Sequence, residues 1–254
     1  MLREVTLDDK YRLKTGIIYL TGSQALIRLA MNQLWRDEAA RYNTAAYITG
    51  YRGSPMHNID KESWRATKEL EAHKVFFHAA INEDLAATAC WGTQQAAMYP
   101  GGKYDGVAAI WYGKGPGLDR SIDAIRHANL AGTARLGGVL AAVGDDPAMK
   151  STDVPAASET MFADLCMPIL YPATVQEMLD FGIFGRGMSR ARSCLVSLDA
   201  VAVEFHLVHP AVAGGHFLGA DWAAGLDEAE RGHASGCSGI APVEQLGVGV
   251  AVSP

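Results

Sequence analysis

The stretch FFHAAINEDLAATACWGTQQAAMYP, residues 76–100, contains the strand-to-helix unit that decides the fold. A short apolar run ends, and Asn82, Glu83 and Asp84 then stand at the head of a long helical pattern. The helix is lined with small residues that suit close packing: Ala86, Ala87, Ala89, Gly92, Ala96 and Ala97. Asn82 is a favourable N-cap, and acidic residues in the first turn suit the positive end of the helix dipole. These residues alone favour a structural role for the two carboxylates over a chemical one.

The same alternation of strand and helix continues along the chain. Apolar runs that predict strands cover residues 45–50, 74–79, 106–112, 137–144, 167–172 and 193–200. Helical patterns lie between them, near residues 23–41, 60–72, 83–98, 119–131, 156–165 and 174–190. The strands are continuously apolar, which is typical of strands that are covered on both faces. The sequence therefore predicts an α/β fold with a doubly wound, mostly parallel sheet of about six strands and helices on both faces.

The composition excludes several classes of function. The chain has 254 residues, of which 49% are hydrophobic and 20% charged, and its net charge is −6. It contains no basic block for nucleic acid or a membrane surface, and no apolar run long enough to cross a bilayer. The start, MLREVTLDDKYRLK, lacks the apolar core of a signal peptide. Four cysteines without a Cys-x-x-Cys pair are typical of reduced thiols, so we expect a cytoplasmic protein.

Polar segments follow four consecutive strands of the predicted sheet. They are TGYRGSPMHN (49–58), INED (81–84), GKGPGLDR (113–120) and GDDPAMKSTDVP (144–155). Ligands of parallel α/β sheets bind at the carboxyl ends of the strands, where loops lead into helices. Four such loops at one edge predict a functional site there.

Taken singly, each of these loops has two interpretations. The glycines of GKGPGLDR suit either a phosphate cradle or a plain tight turn, and their spacing is neither Walker A nor the dinucleotide fingerprint. Nucleotide binding is therefore the weakest hypothesis. In YRGSP, residues 51–55, the cation of Arg52 and the hydroxyl of Ser54 suit either a bound anion or an ordinary surface turn. GDDP, residues 144–147, suits a turn and is not the Gly-Asp-Gly of a magnesium–diphosphate motif.

The periodic pattern fails after about residue 203. We therefore expect a domain over residues 1–203 and an irregular tail over 204–254. The abrupt loss of the sequence pattern is typical of a frameshift, an early stop or a disordered segment. The pair His206-x-x-His209 has no third ligand at a helical offset, so no metal site is predicted.

The order of these motifs resembles a known family. The segments that carry the likeness are YLTGSQALIRL, TGYRGSP, NEDLAATACWGTQQ, KYDGVAAIWYGKGPGLDRSIDAIRHANLAGT, GGVLAAVGDDPAMKST and MPILYPATVQEMLDFG. Over residues 10–203 they resemble the N-terminal part of the long indolepyruvate ferredoxin oxidoreductase-like proteins. These are thiamine-diphosphate-dependent 2-oxoacid:ferredoxin oxidoreductases. The resemblance implies the pyrimidine-binding domain of such an enzyme, which catalyses the oxidative decarboxylation of a 2-oxoacid.

The resemblance assigns roles to particular residues. Glu83 matches the glutamate that hydrogen-bonds the aminopyrimidine of the cofactor. This hydrogen bond promotes removal of the proton from the thiazolium carbon of the cofactor, and it requires a dry site and a protonated carboxyl. Asp84 is left to the helix dipole. YRGSP matches the family's Tyr-Pro-x-Thr-Pro loop, with Arg52 in place of proline and Ser54 in place of threonine. The other implied contacts are Gly53, Ser54 and Gly115 for the cofactor, and Arg52, Ser54, Lys114 and Arg120 for the substrate.

The chain also departs from the complete enzyme. It lacks the Gly-Asp-Gly motif for magnesium and diphosphate, and it lacks cysteine clusters for iron–sulfur centres. Thiamine diphosphate would therefore be shared with a diphosphate-binding domain or subunit, and magnesium, iron–sulfur clusters and ferredoxin would belong to the complete enzyme. The resemblance further implies a dimer through the sheet-edge face and no activity of the chain alone. The alternatives are a non-catalytic α/β interaction module and a truncated remnant.

Overall fold

A computed structural model describes residues 6–201 and 208–215, apart from positions 54, 55, 57, 150–152 and 154. The strands are β1 Ile17–Leu20, β2 Thr44–Gly50, β3 Val75–Ala79, β4 Gly106–Lys114, β5 Val139–Asp145, β6 Ile169–Leu170, β7 Val196–Val201 and β8 His209–Val212. The α-helices are α1 Asp9–Arg12, α2 Gly22–Ala39, α3 Asn58–Arg65, α4 Thr67–Ala72, α5 Glu83–Gln95, α6 Gly115–Ala131, α7 Glu159–Asp164 and α8 Val175–Arg192. A single 3₁₀ turn, Ala96–Met98, extends α5.

Six of the strands form one parallel sheet in the order β3-β2-β4-β5-β7-β6. The chain runs outward from β2 to β3 and then returns to the other side of β2 as β4. The strand order therefore reverses at β2 and β4. In open α/β sheets such a reversal leaves a crevice at the carboxyl ends of the two strands.

Helices cover both faces of this sheet, as the sequence predicts. Successive residues of a strand point to opposite faces, and on β4 the neighbours Ile110 and Trp111 are buried in two different cores. Ile110 packs with Leu29 of α2 and Ile183 of α8. Trp111 packs on the other face with Ala87 of α5. The predicted fold class is confirmed.

The two short strands β1 and β8 were not predicted. They form a separate antiparallel pair in which Ile17 faces Val212 and Leu20 faces His209. Ala211 of β8 and Ala213, just after it, are buried in the core that α2 and α8 line. Part of the segment expected to be irregular thus packs on the domain, while His206 and residues 216–254 lie outside the described residues.

The predicted glycine-rich loop at 113–120 is not a loop. Strand β4 continues to Lys114 and α6 begins at once at Gly115, with Pro116 in its first turn. A proline is well tolerated there because the first helical amides have no partner within the helix. A Cβ on Gly113 would lie 2.7 Å from the Trp111 ring. The glycine at position 113 therefore allows close packing of the strand end.

Within the described residues, no helix is long and apolar enough to span a membrane.

One buried ion pair joins the two long helices on the α2–α8 face. Both Arg190 Nη atoms lie 2.7 Å from the carboxylate oxygens of Asp37, and the Thr44 hydroxyl donates to the same carboxylate at 2.6 Å. Asp37 is almost fully buried. Arg190 also donates to the carbonyl of Gly137 at 3.0 Å, so α2, α8 and the start of β5 are linked at one point.

Asp37→Asn is expected to lower the free energy of unfolding by about 3 kcal/mol, because Arg190 would lose its buried counter-charge. The control is Asp164→Asn, which breaks the exposed ion pair of Asp164 with Arg126. It should change the free energy of unfolding by less than about 0.5 kcal/mol. Urea unfolding at neutral pH measures both values. Equal effects of the two substitutions would contradict a stabilising role of the Asp37–Arg190 pair.

The same pair predicts a dependence of stability on pH. Burial by itself raises the pKa of Asp37, but hydrogen bonds and charge from Arg190, with hydrogen bonds from Thr44 and Gln33, outweigh it and lower the pKa overall. A depressed pKa stabilises the fold above the unfolded pKa, and this contribution is lost as the pH falls. The stability difference between the wild type and Asp37→Asn should therefore shrink below about pH 4. A constant difference down to acid unfolding would contradict the assignment.

Candidate functional site

The carboxyl ends of β2, β3 and β4 lie side by side at the reversal of strand order. Gly50, the last residue of β2, is in register with Ala79 of β3 and Tyr112 of β4. A Cβ on Gly50 would lie 2.1 Å from the carbonyl oxygen of Tyr112, so only glycine allows this approach. The segments that follow these strands therefore start from one edge, as predicted.

Glu83 is the first residue of α5 and is buried, with 7% of its surface exposed. The Asn82 side chain caps the helix by accepting the amide of Leu85 at 2.9 Å, as predicted. The Trp111 indole donates to the Glu83 carbonyl at 3.0 Å and ties the start of α5 to β4. The described part of the chain provides no hydrogen-bond partner for the Glu83 carboxylate. The carboxylate is therefore sheltered from solvent and still available to a ligand.

The first turn of α6 packs directly against this carboxylate. A Cβ on Gly117 would lie 2.7 Å from Glu83 Oε1 and 2.8 Å from Glu83 Cγ. Gly117 therefore leaves the space that the Glu83 side chain occupies. Gly117 was not predicted as a site residue, although its place in the glycine-rich segment at the end of β4 was the available signal.

The neighbouring carboxylate, Asp84, has a different environment. Arg120 Nε lies 3.1 Å from both oxygens of Asp84, and the Ser121 hydroxyl lies 3.4 Å from one of them. The Arg120 and Asp84 side chains are 54% and 40% exposed. Arg120, a predicted substrate contact, thus has its Nε engaged in a surface ion pair that joins α5 and α6. The two adjacent acids differ, since Glu83 faces inward and Asp84 lies at the surface.

Two of the predicted cations belong to the same edge of the sheet. Lys114 ends β4, and a Cβ on Gly53 would lie 3.5 Å from Lys114 Cδ, so the loop after β2 crosses over the lysine stem. Arg52 is exposed on that loop. Ser54 lies outside the described residues.

Beneath this loop, the Tyr112 hydroxyl donates to Asp60 of α3. Burial raises the pKa of Tyr112 most, the hydrogen bond and charge of Asp60 raise it further, and the positive charge of Arg52 partly offsets them.

Gly115, predicted as a cofactor contact, packs toward β5. A Cβ on it would lie 2.3 Å from Ala156 Cβ and 3.2 Å from Asp145 Oδ1. Asp145 is the last residue of β5, and a turn follows it at Pro147 and Ala148, in agreement with the strand-end turn that GDDP suggested. Together with Glu159 and Asp199 it forms a group of acids whose oxygens lie within 4.8 Å of one another. No such group was predicted.

Two cavities on other parts of the described surface are not lined by the predicted site residues. A cavity of about 370 Å³ lies near the start of β4, lined by Gln94, Asp105 and Arg135 among others. A second of about 260 Å³ lies beside β3. Ile81 and Leu85, two residues before and after Glu83 in the sequence, are 81% and 53% exposed.

Comparison with known proteins identifies the fold. No protein family and no curated protein matches the chain by sequence. Among solved structures, the chain is similar to a 2-oxoglutarate:ferredoxin oxidoreductase from Magnetococcus marinus with 2-oxoglutarate, coenzyme A and succinyl-CoA bound. The TM-score is 0.56 at 14% sequence identity, and the match covers 76% of this chain and 30% of that chain. The chain thus has a fold found in part of that oxidoreductase.

The contact between Gly117 and Glu83 predicts a thermodynamic coupling. Gly117→Ala should lower the free energy of unfolding by about 1–3 kcal/mol because the new methyl group overlaps the Glu83 side chain. In a Glu83→Ala background that cost should disappear, since the overlapping atoms are gone. Denaturant unfolding of the two single variants and the double variant measures the coupling.

Gly92→Ala is the matched control for this cycle. Gly92 lies on the exposed side of α5, and nothing lies within 4 Å of a Cβ there. An alanine at this helical position should raise the free energy of unfolding by about 0.5–1 kcal/mol. An equal cost of Gly117→Ala with and without the Glu83 side chain would contradict the described packing.

Proposed function

We propose that the chain is the pyrimidine-binding part of a thiamine-diphosphate-dependent oxidoreductase that acts on a 2-oxoacid with ferredoxin as acceptor. The observation that carries the proposal is the buried Glu83 carboxylate, without a partner in the described chain, at the head of α5 beside the reversal of strand order. The collinear sequence motifs supply the cofactor and the reaction type. The similarity in fold to a 2-oxoacid:ferredoxin oxidoreductase agrees with this choice.

The residues present fit the aminopyrimidine half of that cofactor. A protonated Glu83 would donate a hydrogen bond to a pyrimidine ring nitrogen, and its burial would keep water from competing for that bond. Gly117 and Trp111 would hold the side chain and the backbone of Glu83 in place. When bound, thiamine diphosphate supplies the electron sink that stabilises the carbanion formed by decarboxylation.

The substrate carboxylate would be recognised by the cations at the same edge. Lys114 and Arg52 come from the end of β4 and the loop after β2, and the hydroxyl of Ser54 belongs to the same loop. Gly53 and Gly115 would allow close approach of backbone to ligand. Arg120 is a more distant candidate, because its Nε already binds Asp84. We propose an aryl 2-oxoacid of the indolepyruvate type from the sequence resemblance alone.

The other half of the cofactor site would come from a partner. The chain has no Gly-Asp-Gly motif, so a diphosphate-binding domain or subunit would supply magnesium and cover Glu83. Ile81 and Leu85, two residues before and after Glu83 in the sequence, are exposed and offer apolar surface for that contact. We further propose that residues 1–203 form the domain, on which the described segment 208–215 packs. We also propose a cytoplasmic location, because the cysteines of the described chain are free.

The same apolar surface supports a second candidate function. A non-catalytic interaction module would use Ile81 and Leu85 to bind a partner chain. Its complex would form equally well without the Glu83 carboxylate and without added cofactor.

The test is turnover of the reconstituted complex. The chain is combined with a partner that carries the diphosphate motif, and reduction of ferredoxin by a 2-oxoacid is followed. Glu83→Gln should reduce turnover by about hundredfold or more, because the amide cannot take over the proton-transfer role of the carboxyl. Asp84→Asn, which changes the adjacent surface acid, should retain activity within about threefold.

Circular dichroism and complex formation should be unchanged in both variants. Full activity of Glu83→Gln would contradict the catalytic proposal. A stable complex without turnover in the wild type, indifferent to Glu83 and to cofactor, would favour the interaction module.

A further inference from the structure

Three acidic side chains converge beyond the end of β5, on the sheet face that carries α6 and α7. Asp145 ends β5, Asp199 lies on β7, and Glu159 is the first residue of α7. Asp199 is in register with Val143, two residues before Asp145, so both aspartates point to the same face of the sheet. One oxygen of each member of this acid triad lies within 4.8 Å of the others.

Asp199 is the unusual member of the acid triad. It is 0% exposed, and within the described chain neither of its carboxylate oxygens has a hydrogen-bond partner. Burial raises its pKa most, and the negative charges of Asp145 and Glu159 raise it further, to about 8. An unpaired buried carboxylate is costly, so a native fold that keeps one requires a compensating ligand or proton.

Asp145 is held in place for such a ligand. The backbone amide of Ser158 donates to one of its oxygens at 2.6 Å, and the Ser158 hydroxyl donates to the other at 2.7 Å. Each carboxylate oxygen keeps a lone pair after accepting one hydrogen bond. Hydrogen bonds of this kind orient metal-binding carboxylates in known sites.

We propose that the acid triad binds one divalent cation with a preference for oxygen ligands, of the Ca²⁺ or Mg²⁺ type. Two oxygens on one ion lie at most twice the metal–oxygen distance apart, which is about 4.8 Å for Ca²⁺ and about 4.2 Å for Mg²⁺. Each pair of oxygens in the acid triad lies within this upper limit for Ca²⁺. The half-buried Glu159 lies on the solvent side and leaves a route by which water completes the coordination.

This site is separate from the proposed catalytic residues. Its members lie at β5, β7 and α7, while Glu83 heads α5 next to β3 and β4. Among the described residues it approaches them at Gly115, the start of α6, where a Cβ would lie 3.2 Å from Asp145 Oδ1. Cation binding can therefore be tested on the full chain alone, without a partner domain, thiamine diphosphate or a turnover assay.

The experiment is calorimetric titration of the metal-free chain with CaCl₂ and with MgCl₂, together with thermal unfolding. The wild type should bind about one Ca²⁺ with a Kd of about 10⁻⁴ M or tighter, and its Tm should rise with added Ca²⁺. Asp199→Asn should weaken binding by at least about tenfold and lose the rise in Tm. Asp164→Asn, the matched control, removes an exposed acid from the same helix as Glu159 and should bind within about twofold of the wild type.

Glu159→Gln provides a second variant if Asp199→Asn does not fold, and it should weaken binding in the same direction. The proposal is overturned if the wild type shows no saturable binding up to about 10 mM of either cation. It is equally overturned if Asp199→Asn or Glu159→Gln binds as tightly as the wild type. In those cases a proton on Asp199, and not a cation, offsets the cost of burying its carboxyl group.

Discussion

The candidate site depends on the close approach of α5 and α6 at the end of β4. Gly117 leaves room for the Glu83 side chain, and the Trp111 indole holds the Glu83 carbonyl at 3.0 Å. Because no side chain fits at position 117 without displacing Glu83, the carboxylate is confined beside the strand ends. The small residues on the helix that begins NEDLAATA allow the two helices to pack closely. The packing of α5 against α6 therefore buries the carboxylate. Burial in turn is what suits the Glu83 side chain to a hydrogen bond with a ligand.

Topology explains why this carboxylate and two cations belong to segments at one edge of the sheet. The reversal of strand order brings the ends of β2, β3 and β4 together, so their following segments share one edge. Lys114 and Arg52 come from two of these segments and Glu83 from the third. Asp84 and Arg120 neutralise each other at the surface. Of the two adjacent acids, Glu83 is therefore the one that is buried and has no partner within the described chain. A hydrogen bond from this carboxyl group to a ligand requires both properties.

The sequence predicts the parallel sheet well because buried parallel strands are continuously apolar, and each of the six predicted strands is present. It does not reveal β1 and β8, whose pairing joins Ile17 to Val212 across the whole domain. The glycines after β4 suggested a loop, although they serve packing against Trp111, Ala156 and Glu83. The acid triad was missed because its members are far apart in sequence, and the only signal was an aspartate inside the apolar strand SCLVSLDA.

The proposed function requires that Glu83 acts on the pyrimidine of thiamine diphosphate. It is tested most directly by the rate at which the acidic ring proton of the bound cofactor exchanges with solvent deuterium in the reconstituted complex. At equal cofactor occupancy, the wild type should exchange this proton about hundredfold faster than Glu83→Gln. Equal exchange rates in the two complexes would contradict the claim and leave Glu83 as a residue of helix packing alone.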